Sequence, residues 1–317
     1  MGGLAKINQQ KRFRAASLAL AATTVLTIAK LVVAVATGSV GVLSEAIHSG
    51  LDLLSSLVTF FVVRASVRPA DWDHPFGHGK IESLSALFEA FLLLVAGGYI
   101  LFEGISKWTR PGHHVDHIGW GLAVTGASVL INLYVYFQNR NVAREQESIA
   151  IETNAFHFLT DVFSSLAVFL SLGALHFTQW IFLDPLVAIL IAGYILWVGI
   201  EQIKKCVAEL SDTVLPGEEV ETVRQVLRGH EKEFLNYHDL RTRKAGAVRF
   251  VDLHLTVCSE QTVHEAHEVC DRIEDDLTKS FKEAHVNIHI EPCGNHGPNC
   301  LDHCRFYGVP RKQGQNG

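Results

Sequence analysis

Two pairs of residues within apolar segments repeat the same chemistry, a histidine followed four positions later by an aspartate. The first pair is His48 and Asp52 in "SEAIHSGLDLLSS", and the second is His157 and Asp161 in "NAFHFLTDVFSS". Residues four apart share one face of a helix. Two such faces that meet would supply two imidazoles and two carboxylates, a tetrahedral set for a divalent cation. We call these four residues the intramembrane site.

The alternative to a metal at this place is a hydrogen-bonded pair of polar side chains between helices. An Asp at the centre of a membrane helix costs about 2.5–3.5 kcal/mol on insertion scales, so such residues usually serve a function. A single His-x-x-x-Asp pair would leave the two readings balanced. Two pairs in separate apolar segments favour the metal.

A third set of ligands lies in the polar segment "PADWDHPFGHGK", which contains Asp71, His74 and His78. We call these three residues the loop site. Gly77 and Gly79 flank His78 and allow a tight chain path around an ion. The alternative interpretation of this segment is a solvated polar loop without metal.

The C-terminal third contains five further candidate ligands on its predicted strands and second helix. We call them the sheet site: His238, His254, His267, His289 and Glu291. Residues two apart on a strand share a face, so the side chains of His289 and Glu291 point the same way. Spacing alone does not establish that the remaining three converge on them.

The tail "CGNHGPNCLDHC" places five soft ligands within twelve residues: Cys293, His296, Cys300, His303 and Cys304. This density resembles a small zinc site, although the spacing fits no common zinc finger. The alternative is an unstructured tail that binds metal only adventitiously.

The elements that must position these residues begin with apolar segments of about 20 residues, long enough to span a bilayer. Six are predicted, at 15–37, 41–63, 83–106, 118–137, 150–175 and 180–200. Short linkers make neighbouring spans antiparallel. The basic residues lie mainly before the first span, after the second and fourth, and after the last. By the positive-inside rule, both termini are therefore predicted to be cytoplasmic.

Composition separates a soluble part from the spans. Residues 1–207 contain 14 Lys and Arg against 14 Asp and Glu, whereas residues 208–317 contain 13 against 19. We therefore predict a transmembrane domain over 1–207, a metal-binding domain over 208–292 and a Cys/His-rich tail over 293–317. Helical spacing after Pro216, alternation around His254 and a second helical pattern give the order αββαβ, a small α+β domain.

At this point the chain resembles the cation diffusion facilitator family, in particular its bacterial zinc and ferrous-iron efflux type. The resemblance covers residues 12–292 and is carried by the paired His/Asp motifs, "DWDHPFGHGKIES", "HDLRTRKAG" and "VNIHIEP". It implies a homodimer in a bacterial inner membrane that exports divalent metal in exchange for protons. It also implies a metallochaperone-like cytoplasmic domain that dimerises around a binuclear zinc site.

The resemblance further matches Lys80 and Asp212 to a charge interlock that holds the dimer together. Two ligand positions depart from some members, which have Asp where this chain has His48 and Glu291. The form with two His and two Asp resembles zinc-preferring members. The tail is not part of the family pattern.

The residues themselves also favour exchange of metal for protons. An empty site with two carboxylates repels its own charge, and protonated imidazoles relieve that repulsion. Zn²⁺ requires neutral imidazoles, so metal and protons compete for the same atoms. We find no motif for hydrolysis or nucleic-acid binding and predict a secondary transporter, not an enzyme. The alternatives are a membrane-anchored metal sensor and a passive divalent-cation channel, and Fe²⁺, Co²⁺, Cd²⁺ and Mn²⁺ remain alternative cargoes.

Overall fold

The computed structural model describes residues 2–37, 40–109, 118–178 and 183–294. The chain divides into two compact units, Met1–Leu210 and Ser211–Gly317. The described part of the first unit is helical, and that of the second contains two helices and a three-stranded sheet. The predicted fold class, apolar helical spans followed by a small αββαβ domain, is confirmed. The predicted domain limits at 207 and 292 stay predictions.

Six long helices make up the described part of the first unit: α1 (Gly2–Thr37), α2 (Val40–Ser66), α3 (Lys80–Thr109), α4 (Ile118–Gln146), α5 (Ile149–Thr178) and α6 (Leu183–Leu210). Within the described residues, four stretches are long and apolar enough to cross a membrane: Gln9–Ala36, His48–Ser66, Lys80–Ser106 and Pro185–Leu210. The described parts of α4 and α5 carry buried polar residues, such as Asn139 and Asn154, which lower their hydropathy.

The distribution of side chains in the first unit is the reverse of that in a water-soluble protein. Large apolar side chains such as Val35, Phe91 and Phe102 are exposed, while Ser55 and Glu89 are fully buried. In hydrocarbon an apolar surface needs no shielding, and polar groups must find partners inside the bundle. This pattern matches a helical unit surrounded by lipid.

Small residues let α3 and α6 pack closely along their length. A Cβ added at Gly199 would lie 2.7 Å from Leu94 Cδ2, and one at Gly97 would lie 3.0 Å from Ile195 Cγ2. Such close backbone approach is how membrane helices gain packing energy without a hydrophobic driving force. The most extensive of the other helix contacts join α1 with α2 and α4 with α5.

Replacing Gly199 with Leu should therefore destabilise the bundle by about 1–3 kcal/mol, the usual cost of overpacking a tight contact. Gly193→Leu is the matched control, because it lies on the same helix with no atom within 4 Å of the added Cβ. Thermal unfolding in detergent should show a lower midpoint for the first variant alone. Equal midpoints would mean that the α3–α6 contact is not tight.

The second unit has the helices α7 (Gly217–Gly229) and α8 (Val263–Ser280) on one face of its sheet. The strands are β1 (Asn236–Ala245), β2 (Val248–Val257) and β3 (Ala284–Pro292), in the order β1-β2-β3. Alternate residues of β2, Val251 to Val257, are buried with Leu227 and Ile273 in one core. The intervening residues of β2, including His254, therefore lie on the opposite face of the sheet.

Local sequence explains where these elements begin. Thr262 caps α8 in a reciprocal pair with Glu265, in which each side chain bonds to the other residue's backbone N–H. Gly246 adopts a φ of +62° in the two-residue turn between β1 and β2, a conformation that costs glycine least.

Candidate metal sites

Three of the four residues predicted for the intramembrane site converge between α2 and α5. His48 Nε2 lies 3.9 Å from Asp52 Oδ1 and 4.0 Å from Asp161 Oδ1. One ligand atom from each of the three lies within 4.8 Å of the others. The spacing of four residues on each helix produces this convergence, since it places both pairs on facing surfaces.

The fourth residue, His157, joins the intramembrane site through Asp52. Its Nε2 lies 3.0 Å from Asp52 Oδ1, and both side chains are buried. His48 is half exposed by contrast, with 50% of its side chain accessible. The site therefore has a buried side, formed by Asp52 and His157, and an accessible side at His48. A divalent cation would balance the two carboxylates that the helices bring together.

The three residues of the loop site also lie together, between the end of α2 and the start of α3. Asp71 Oδ1 lies 3.2 Å from His74 Nδ1, and Asp71 Oδ2 lies 3.3 Å from His78 Nε2. A hydrogen bond from the backbone N–H of His74 lowers the pKa of Asp71 below its ordinary value. The carboxylate is therefore held in the ionised form that metal binding requires.

The turn in the loop site depends on Gly77, whose φ is +83° and whose N–H bonds to the His74 carbonyl. His78 is buried, with its Nδ1 unpartnered in the described structure. The burial of His78 against a carboxylate favours the metal hypothesis over a solvated loop, and the loop site stays a prediction.

Strand register brings three of the four histidines of the sheet site into one row. His238 pairs with His254 across the antiparallel β1–β2 ladder, and His254 pairs with His289 across the parallel β2–β3 ladder. Glu291 lies two residues beyond His289 on the same face. A bulge between His238 and Arg241, with Asp239 at a φ of +52°, shifts the register of β1 past this row.

Glu291 is the common partner within this row of the sheet site. Its carboxylate oxygens lie 2.9 Å from His254 Nδ1, 3.3 Å from His238 Nε2 and 4.0 Å from His289 Nε2. His267 is not brought into this group, and its Nε2 lies 3.7 Å from Asp271 on its own helix, α8. Four of the five predicted ligands thus converge on one face, and the role of His267 stays a prediction.

Most of the predicted tail site, His296, Cys300, His303 and Cys304, lies outside the described residues. Cys293 is described and is buried against Cys258, a thiol that the sequence analysis did not include. The two meet because Cys258 and Cys293 directly follow Val257 and Pro292, which pair across β2 and β3.

Lys80 and Asp212 lie in different units, and their pairing also stays a prediction.

Two buried carboxylates of α3 were not singled out from the sequence, although acidic residues in an apolar span are a visible signal. Glu82 accepts hydrogen bonds from Arg12 of α1, Ser66 of α2 and Ser148, at 3.3, 2.8 and 2.7 Å. Glu89, two turns later, accepts a hydrogen bond from Thr59 of α2. Glu82 therefore ties together three helices and the α4–α5 connection.

Comparison with known families gives two matches, one for each unit. The profile described as the cation efflux transmembrane domain matches residues 16–211. The profile described as the cation efflux protein, cytoplasmic domain, matches residues 215–293.

Curated relatives align over most of their own length. The chain is 33% identical over 280 residues to the cation-efflux pump FieF of Shigella boydii, covering 88% of this chain and 92% of that protein. The match to FieF of Escherichia coli has the same identity and coverage. An uncharacterised transporter of Synechocystis is 30% identical over 256 residues, covering 81% of this chain and 82% of that protein.

Two solved structures each align with about a quarter of this chain. The zinc form of the putative zinc transporter CzrB is 40% identical, covers 26% of this chain and 96% of that chain, and has a TM-score of 0.25. The metal-bound C-terminal domain of CzcD from Thermotoga maritima is 27% identical, covers 25% of this chain and 93% of that chain, and has a TM-score of 0.23.

Proposed function

Because the chain belongs to the cation efflux family, we propose that it exports divalent cations, chiefly Zn²⁺, from the cytoplasm in exchange for protons. The family establishes an integral membrane protein that transports cations. The observation that carries the finer proposal is the convergence of His48, Asp52 and Asp161 between two helices, with His157 against Asp52.

The donor set supports Zn²⁺ as the cargo. Two imidazole nitrogens and two carboxylate oxygens are ligands that Zn²⁺ accepts in a tetrahedral arrangement. At such ligands Zn²⁺ binds more tightly than Mn²⁺, Fe²⁺ or Co²⁺. His48, half of whose side chain is accessible, is the ligand of the site that an arriving cation would meet first.

Exchange with protons follows from the same atoms. Zn²⁺ binds ionised carboxylates and neutral imidazoles, so loading the site releases any protons that these groups hold. After the metal leaves, the two adjacent carboxylates Asp52 and Asp161 repel each other unless protons return. Metal and protons therefore occupy the site alternately, which couples the outward movement of one to the inward movement of the other.

Orientation and location complete the transport proposal. A cytoplasmic location of both termini is supported by the clusters of Lys and Arg at the N-terminus, in the α2–α3 and α4–α5 connections and after α6. The relatives named above are bacterial, which supports a bacterial inner membrane.

We assign the working parts of the chain by domain, with transport in residues 1–207 and homodimerisation in residues 208–292. The row of ligands on the face of the sheet opposite α7 and α8 supports this assignment. In a dimer, a zinc ion on that face could draw ligands from both protomers, including His267. The Lys80–Asp212 interlock and a tail zinc site involving Cys293 belong to the same proposal.

Zinc should tighten dimer association at least about tenfold, roughly 1.4 kcal/mol, because metal bound to the native assembly stabilises it. His254→Ala and Glu291→Ala should each lose this effect in sedimentation measurements with and without chelator. His264→Ala is the matched control, since this exposed histidine pairs with Glu268 on its own helix. A zinc effect that persists in both site variants would contradict the assignment.

Transport by the purified protein in proteoliposomes tests the proposed function. Zn²⁺ flux should accelerate when a pH gradient drives protons in the opposite direction, and proton movement should depend on Zn²⁺. A protein that binds Zn²⁺ without flux would be a sensor. Zn²⁺ flux that moves no protons and ignores the gradient would identify a channel.

A further inference from the structure

The carboxyl of Glu89 lies inside the helical bundle with no exposed surface. It belongs to α3, whereas the proposed transport ligands belong to α2 and α5. An ionisable side chain in this position is costly unless it serves a binding or transport step. The transport proposal above does not use it.

Thr59 and Asn154 flank the carboxyl of Glu89, and only one of its two oxygens has a hydrogen-bond partner in the described structure. Oε1 accepts the hydrogen bond from Thr59 of α2, and Asn154 of α5 lies beside the carboxyl. Oε2 is buried and has no hydrogen-bond partner in the described structure. A buried acceptor without a partner calls for a specific explanation, because its desolvation destabilises the folded protein.

One ring nitrogen of His157 also lacks a hydrogen-bond partner in the described structure. Its Nε2 faces Asp52 at 3.0 Å, toward the intramembrane site, while its Nδ1 is buried without a hydrogen-bond partner among the described residues. Glu89 lies beside Asn154, and His157 follows Asn154 by three residues on the same face of α5. One ring nitrogen that can donate and one carboxylate oxygen that can accept are thus both unpartnered on neighbouring helices.

We propose that Glu89 is the positioning residue for His157, accepting its Nδ1–H through one water while Nε2 binds the cargo cation. The inference rests on the proposed transport site. Metal-binding histidines usually donate their second ring N–H to a carboxylate or carbonyl, which fixes the tautomer and makes the ligand more basic. Thr59 holds the carboxyl of Glu89 in place for this task.

The test compares Zn²⁺ affinity and the visible spectrum of bound Co²⁺ in full-length protein in nanodiscs. The loop and sheet sites are expected to bind metal too. Their contribution is therefore measured in Asp161→Asn protein, which retains both, and is subtracted from the signal of each variant. Glu89→Leu should lower the affinity of the intramembrane site by about 10–100-fold, the usual effect of losing an outer partner. It should also alter the Co²⁺ spectrum.

Glu89→Gln keeps an oxygen that can accept the same hydrogen bond, so it should recover most of the affinity and the spectrum. This rescue separates positioning of His157 from a general packing role. Unchanged affinity and spectrum in Glu89→Leu would overturn the inference. If that variant does not fold, Glu89→Asp, which withdraws the carboxyl by one methylene, replaces it under the same criterion.

The result also separates this inference from the proposed function. His157→Ala should itself weaken the intramembrane site, and that loss together with an inert Glu89 would overturn only the positioning role. If His157→Ala and Asp161→Asn both retain wild-type Zn²⁺ affinity and transport, the transport site is wrongly assigned.

Discussion

Asp52→Asn and Asp161→Asn should each reduce metal transport by more than about 100-fold. Residues that only hydrogen-bond to a metal ligand already contribute about 10–100-fold to metal affinity, and the ligands themselves contribute more. Asparagine preserves the size of the side chain but removes the charge that a divalent cation neutralises. The measurement is the initial rate of Zn²⁺ flux in proteoliposomes under a fixed pH gradient. Metal-dependent proton movement should disappear in parallel.

Ser164→Ala provides a matched control for these two variants. Ser164 lies three residues beyond Asp161 on α5, and its hydroxyl bonds to the carbonyl of Thr160 in the same helix. It should transport at the wild-type rate. Near-normal flux in both Asp variants, with intact folding, would rule out the intramembrane site as the path of the metal.

Glu82→Ala should destabilise the helical unit by about 3–5 kcal/mol, the usual result of removing one partner from a buried ion pair. Glu82 is 1% exposed, and it accepts hydrogen bonds from Arg12, Ser66 and Ser148. Its loss would leave the Arg12 guanidinium with an uncompensated charge, together with two hydroxyl groups that lose their acceptor. Equilibrium unfolding in mixed micelles measures the difference.

Two further variants test whether the loss of stability in Glu82→Ala comes from the buried ion pair. Glu201→Ala removes an exposed pair with Lys204 and should cost less than about 1 kcal/mol. A double variant, Arg12→Met with Glu82→Leu, should regain part of the stability because no buried charge remains unpaired. Similar losses for Glu82→Ala and Glu201→Ala would show that the buried network contributes little.

The sequence allowed prediction of those features that depend on periodicity. Apolar runs of membrane length and the αββαβ pattern follow from hydropathy and alternation, and both appear in the structure. The His-x-x-x-Asp spacing predicted which residues share a helix face. In the structure, His48, Asp52 and Asp161 do lie together.

Features that depend on how elements pair could not be predicted. The row formed by His238, His254 and His289 requires a strand register and a bulge near Asp239, which no local pattern specifies. Cys258 meets Cys293 for the same reason, through pairing of distant strands. Glu89 was visible as an acid in an apolar span, but its position opposite Thr59 depends on helix packing.

The carboxylate of Glu82 connects several helices at one end of the helical unit. It joins α3, which packs tightly on α6 through Gly97 and Gly199, to α1, α2 and the α4–α5 connection. Separating the helices at this end breaks a buried ion pair between Arg12 and Glu82. A helix of the length of α3, about 45 Å, moves its far end by roughly 8 Å when it tilts by about 10°. A small tilt of the α3–α6 pair about the Glu82 contacts would therefore displace the opposite ends of these two helices by several ångströms.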